Sequence, residues 1–115
     1  MARVRLLRQR SSADRTPPSA PTNLTATTPP DDFCGTNILD WDPSIDETDP
    51  QSAIEYEVFL NGALYHVTPP GQDWAGLYTH AGTNTWTVVA VDRSGNSSPA
   101  SNAATVTVRV DTGLC

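Results

Sequence analysis

IEYEVFLNG, residues 54–62, decides the fold class. Ile54, Tyr56, Val58 and Leu60 alternate with Glu55, Glu57 and Phe59. That is the period of a strand with one buried and one wet face. Asn61-Gly62 ends the run, and such a pair favours a type I′ turn because both central residues need positive φ. The chain then returns through 63–67, so residues 54–67 read as a hairpin. The same period of two recurs on both sides. Upstream, Leu24 and Ala26 alternate within a short edge strand at 23–28, and Asn37, Leu39 and Trp41 give another strand with Leu39 and Trp41 inward. Downstream lie 74–79, then 86–92 with Trp86, Val88 and Ala90 inward, then 104–110 with Ala104, Val106, Val108 and Val110. Gly82–Asn84 reads as a turn before the 86–92 strand. Seven short strands, turn signals between them and no helical period predict an all-β, antiparallel two-layer sandwich.

Length and charge bound the function. At 115 residues with 37% apolar content, the chain makes one domain with a core of its own. No apolar run approaches the ~18 residues of a membrane span, so no membrane partner is expected. The net charge of −6 hides a division. All seven cations are Arg, and Arg3, Arg5, Arg8, Arg10 and Arg15 fall in the first 15 residues, which sum to +4. The other 100 residues carry Arg93 and Arg109 against 12 carboxylates and sum to −10. A basic arm on an acidic body suits an acidic protein surface, which Arg pairs bidentately. The body repels nucleic acid, so a nucleic-acid partner is disfavoured. Val4, Leu6 and Leu7 are broken by Arg5 and Arg8, so no signal peptide is read here. Pro17, Pro18 and Pro21 favour an extended lead-in. The expected organisation is an extended N-terminal arm at 1–17, a sandwich at 18–111 and a tail at 112–115.

Four segments carry a family resemblance. TPPSAPTNLTAT (16–27), LDWDPSIDET (39–48), IEYEVFLNG (54–62) and VVAVDRSGNSSPASNAATVTV (88–108) occur in order. Together the chain from about 18 to 110 resembles a fibronectin type III domain of the bacterial or phage kind. The resemblance implies a seven-stranded, immunoglobulin-like β-sandwich. The sequence departs from the family in two ways. The Tyr that the family carries eight residues before the Asp of its last loop falls on Asn84, so that corner is absent or rebuilt by Tyr78 or Trp86. The family also lacks the cysteines. In such a sandwich Cys34 and Cys115 fall at the same end. They are either a disulfide, adding roughly 4 kcal/mol by chain entropy, or two free thiols. A bridge would place the chain outside a reducing cytosol.

Chemistry is sparse. There is no Gly-rich phosphate loop and no Gly-x-Ser-x-Gly elbow, and His66 and His80 have no nucleophile or ligand partner at motif spacing. A small filled sandwich offers no pocket to shift a carboxyl pKa, so no catalysis, no cofactor and no metal site are expected. Asp40, Asp42, Asp46, Glu47 and Asp49 form the densest carboxylate stretch. It reads as a solvated loop, with Ca²⁺ the alternative, because it lacks the spacing of a recognised calcium loop. The loops at 43–52 and 93–98 share one pole in this fold, making Asp46, Glu47, Asp49, Arg93 and Asn96 the loop-recognition candidates. Arg93 is expected to ion-pair with the neighbouring loop. Trp74 is expected in the core, with an outward, sugar-stacking ring as the alternative.

Two leading functions follow. One is a non-catalytic structural module displayed on a larger assembly, such as a bacteriophage virion decoration or tail protein, through its arm. The other is an adhesion or spacer module of a secreted bacterial protein, such as a polysaccharide-degrading enzyme, with polysaccharide or a cell surface meeting the loops. Localisation is accordingly virion or extracellular.

Overall fold

The computed structural model describes residues 15–115. Seven antiparallel strands are present: β1 (Thr22–Thr27), β2 (Thr36–Asp42), β3 (Glu55–Leu60), β4 (Ala63–Val67), β5 (Trp74–Tyr78), β6 (Gly82–Val91) and β7 (Ala104–Val108). The only helical piece among the described residues is one 3-10 turn, Gln51–Ala53. One sheet has the order β1-β2-β5 and the other β4-β3-β6-β7. The Arg3, Arg5, Arg8 and Arg10 positions of the arm lie outside the described residues. Arg15 is exposed. Among the described residues no helix is long and apolar enough to cross a membrane.

Alternation builds the core as its period requires. Leu39 and Trp41 of β2, Tyr56 and Val58 of β3, and Trp86, Val88 and Ala90 of β6 are buried between the layers with Leu24, Ile54 and Ala75. Each fully buried large side chain contributes roughly 1.5–3 kcal/mol. Trp41 meets Tyr56 edge-to-face, ring centroids 5.3 Å apart, a geometry the ring quadrupoles favour. The Asn61-Gly62 turn has φ of 50° and 88°, as a type I′ hairpin needs. Asn61 also accepts from the Thr85 amide at 3.0 Å, locking the hairpin to β6. Asn102 clamps β1: it accepts from the Leu24 N–H at 2.9 Å and donates to the Leu24 carbonyl at 3.0 Å.

Two expectations are corrected here. Residues 82–84 are the start of β6, paired with β7 from Gly82↔Val108 to Asn84↔Val106, rather than a turn. The ladder to β7 overrides local turn chemistry, and the Thr83 and Thr107 hydroxyls, 2.9 Å apart, continue it on the outer face. Trp74 is 55% exposed rather than in the core. The β2–β5 register pairs Leu39 with Ala75 and Asn37 with Leu77, which sends Trp74, Gly76 and Tyr78 outward. At the other end, β7 stops at Val108, while Val110 bridges to Cys34.

Candidate functional site

At one pole the loop 43–53 meets the loop after β6. Asp46 shapes the first: its Oδ2 accepts from the amides of Thr48 (3.0 Å) and Asp49 (2.8 Å). Asp92 shapes the second: its Oδ1 accepts from the amides of Ser94 and Asn96, each at 2.9 Å, and its Oδ2 accepts from Asn96 Nδ2 at 2.9 Å. Asp49 Oδ2 joins the loops by accepting from the Arg93 N–H at 2.9 Å. Beneath them the Tyr56 hydroxyl accepts from the Ser44 amide at 2.9 Å. Burial, partly offset by that bond, raises the Tyr56 pKa above its ordinary value. Ser19 straps the lead-in across the same pole, exchanging two hydrogen bonds with Ile45.

Of the loop candidates, Asp46, Asp49, Arg93 and Asn96 gather around Asp92, while Glu47 is exposed. Arg93 engages the neighbouring loop through its backbone N–H. Among the described residues its guanidinium has no carboxylate partner, which corrects the expected ion pair. Arg93 also lines an open groove of about 540 Å³ with Ser52, Ala53, Glu55, Pro70 and Asp92.

The opposite pole is closed covalently. Cys34 and Cys115 are disulfide-bonded with Cα atoms 5.0 Å apart. Arg109 stacks over Phe33 at 4.4 Å and donates to the Pro30 carbonyl at 2.8 Å. Asp32 accepts from the Thr36 N–H and hydroxyl and from the Cys34 N–H. The Thr36 amide above all holds its carboxyl below the ordinary value. Gly35 must be glycine: at φ 75° its Cβ would lie 2.2 Å from the Thr79 carbonyl oxygen. His80 lines a shallow groove of about 330 Å³ between Leu60, Tyr65 and Asn84, and His66 is half-buried on β4.

The third feature is the outer face of the β1-β2-β5 sheet. Trp74 and Tyr78 (70% exposed) stand on one face of edge strand β5 with Gly76 between them, and Ile38 of β2 (42% exposed) lies opposite Gly76. Four residues of strand separate the two aromatics by about 13 Å. The Tyr65 hydroxyl on β4 donates to the Tyr78 carbonyl and fixes the end of β5.

No family model matches the sequence, and no curated protein matches it. Solved structures do. A variant of a protein named FN3tt superimposes with TM-score 0.62 at 19% identity, over 80% of this chain and 97% of that one. The fibronectin type III domain of human fibronectin type III domain containing protein 3 does so with TM-score 0.62 at 18% identity, over 89% of this chain and 95% of that one. The chain has the fibronectin type III fold. A β-1,2-glucanase from Parabacteroides distasonis contains a similar region, with TM-score 0.57 at 19% identity, over 83% of this chain and 13% of the glucanase.

At the position where fibronectin type III domains carry their corner Tyr, this chain has built a polar knot. Asn37, fully buried, accepts on Oδ1 from Asn84 Nδ2 (3.0 Å) and Trp86 Nε1 (3.1 Å). Its Nδ2 donates to the Gly35 carbonyl (3.0 Å) and Thr79 Oγ1 (2.9 Å). Asn84 also donates to Thr79 Oγ1 at 2.7 Å. Trp86 thus takes part in the rebuilt corner and Tyr78 does not. The knot joins β2 and the end of β5, in one sheet, to β6 in the other by side-chain hydrogen bonds.

Proposed function

We propose that this chain is a non-catalytic recognition module that attaches its carrier to polysaccharide through the outer face of β5. The exposed pair Trp74 and Tyr78 carries this reading. Large aromatic rings cost free energy in water, and a pair on one flat strand face, spaced by a glycine, offers two apolar platforms for sugar rings. Polar atoms for sugar hydroxyls lie alongside on β2, where Asp40 pairs with Trp74 and Thr36 with Tyr78. The occurrence of a similar domain within a much longer glucanase supports an accessory role of this kind. The test is retention on a panel of insoluble polysaccharides. The expected result is retention on at least one, weakened at least tenfold by Trp74→Ala and by Tyr78→Ala with the circular dichroism spectrum unchanged. Full retention by both variants would remove the face from the proposal.

A second reading rests on the charge division. An arm of +4 ahead of a body of −10 suits anchorage of the domain on an acidic protein surface of a larger assembly, such as a bacteriophage virion. Deleting residues 1–16 is then expected to abolish attachment and leave the domain folded. Attachment that survives the deletion eliminates this reading without touching the first.

A further inference from the structure

Two buried side-chain oxygens of the loop 43–53 have no hydrogen-bond partner, the neutral Ser44 Oγ and the carboxylate Asp46 Oδ1. Asp46 is 8% exposed, and its Oδ1 is buried without a hydrogen-bond partner, while Oδ2 holds the Thr48 and Asp49 amides. A carboxylate oxygen withdrawn from water needs a donor or a cation, since the charged form loses its hydration. What Asp46 meets is more negative charge. One carboxylate oxygen from each of Asp46, Asp49 and Asp92 lies within 4.8 Å of the others, and Asp46 and Asp92 are both buried. The donors that reach Asp46 are the Thr48 and Asp49 backbone amides, neither of which carries a charge. Sequence-local turn building therefore accounts for Asp46 Oδ2 and for both oxygens of Asp92, but not for Asp46 Oδ1, nor for bringing the carboxylates together.

We propose that Asp46, Asp49 and Asp92 form a divalent-cation site that takes Ca²⁺. The donor set is all oxygen and all anionic, which suits a hard cation and not zinc or copper. Ligands on opposite sides of a calcium ion, with bonds of about 2.4 Å, stand up to about 4.8 Å apart, so the observed spread needs little adjustment. Magnesium, with bonds of about 2.1 Å, requires a tighter octahedron and gives up its water reluctantly. Three protein carboxylates leave the remaining positions to water, as the half-buried Asp49 at the surface permits. With so few protein ligands, the affinity falls in the range of extracellular modules, about 10⁻⁴ to 10⁻³ M. The ion ties the loop 43–53 to the loop after β6, so calcium sets how firmly this pole is held.

The test uses the full chain, stripped with EDTA and titrated with CaCl₂, followed by thermal unfolding and by two-dimensional amide NMR. Calcium at about 10 mM raises the melting temperature by on the order of 5–10 °C. The same concentration of MgCl₂ gives less than half that shift. The amides of Thr48, Asp49, Arg93, Ser94 and Asn96 move in the calcium titration. Asp46→Asn keeps an acceptor for the turn, removes the charge and weakens binding at least tenfold, and Asp49→Asn does the same. If Asp46→Asn fails to fold, Asp49→Asn and the amide map decide. An unchanged melting temperature and amide spectrum in the native sequence, shifts confined to other regions, or an undiminished response in Asp49→Asn would each overturn the proposal.

Discussion

Replacing Asn37 by Ala exposes how much the buried knot contributes. Asn37 has no solvent access, and the substitution removes both its acceptor and its donor. Trp86 Nε1 loses its acceptor inside a dry core, which costs about 1–3 kcal/mol. Asn84 keeps its bond to Thr79, and the Gly35 carbonyl keeps the Thr79 N–H, so these lose less. The cavity left by the carboxamide adds roughly 1 kcal/mol, giving a total of about 3 kcal/mol. For a domain of this size that is a fall in melting temperature on the order of 12 °C. The assay is guanidinium unfolding followed by far-ultraviolet circular dichroism, as a double-mutant cycle with Trp86→Phe. Because Phe has no N–H to orphan, Asn37→Ala in the Trp86→Phe background is expected to cost about 1–2 kcal/mol less than in the native sequence. A single-mutant cost under about 1 kcal/mol, or strict additivity, would refute the claim that Trp86 depends on Asn37.

Three more outcomes are expected. Replacing Cys34 and Cys115 together by Ala lowers stability by about 4.5 kcal/mol, the chain-entropy value for a separation of 81 residues, measured as the change in unfolding free energy at constant m. Tyr56→Phe leaves the buried Ser44 N–H without its acceptor and costs about 1–2 kcal/mol in the same assay. Asp32 has a folded pKa below its unfolded one, so its contribution is present above about pH 4 and is lost as pH falls through the folded value; in acid titrations of stability Asp32→Asn flattens that part of the curve.

What the sequence made legible was whatever depends on period and turns. Residues 54–62 specified β3 and its hairpin because alternation and Asn61-Gly62 agree with each other and with the pairing to β6. Trp74 was misread because β5 carries large side chains on both faces, Trp74 and Tyr78 against Leu77. The face was decided by register against Leu39, a long-range fact. Gly82–Asn84 looked like a turn because the strand that captures them, β7, lies far along the chain. Asp46 and Asp49 stood out as part of an acid-rich loop. Their convergence with Asp92 did not, since four strands intervene. Asn37 stood in the alternation of β2 with Leu39 and Trp41, but its role did not show, because its buried partners Asn84 and Trp86 lie on β6, far along the chain.

The covalent clasp at Cys34 and Cys115 also decides how the domain would respond to being pulled. Tension applied between Arg15 and Cys115 runs along the lead-in and β1, then crosses the sulfurs directly to the chain end. Strands β2 to β7 lie inside the closed ring and carry none of it. Only β1 can be peeled away, and the extension stops once the stretch from Arg15 to Cys34 is taut, at roughly 70 Å. An oxidised domain therefore acts as a short, inextensible link under load, and a reduced one as a spring that can unravel along its whole length.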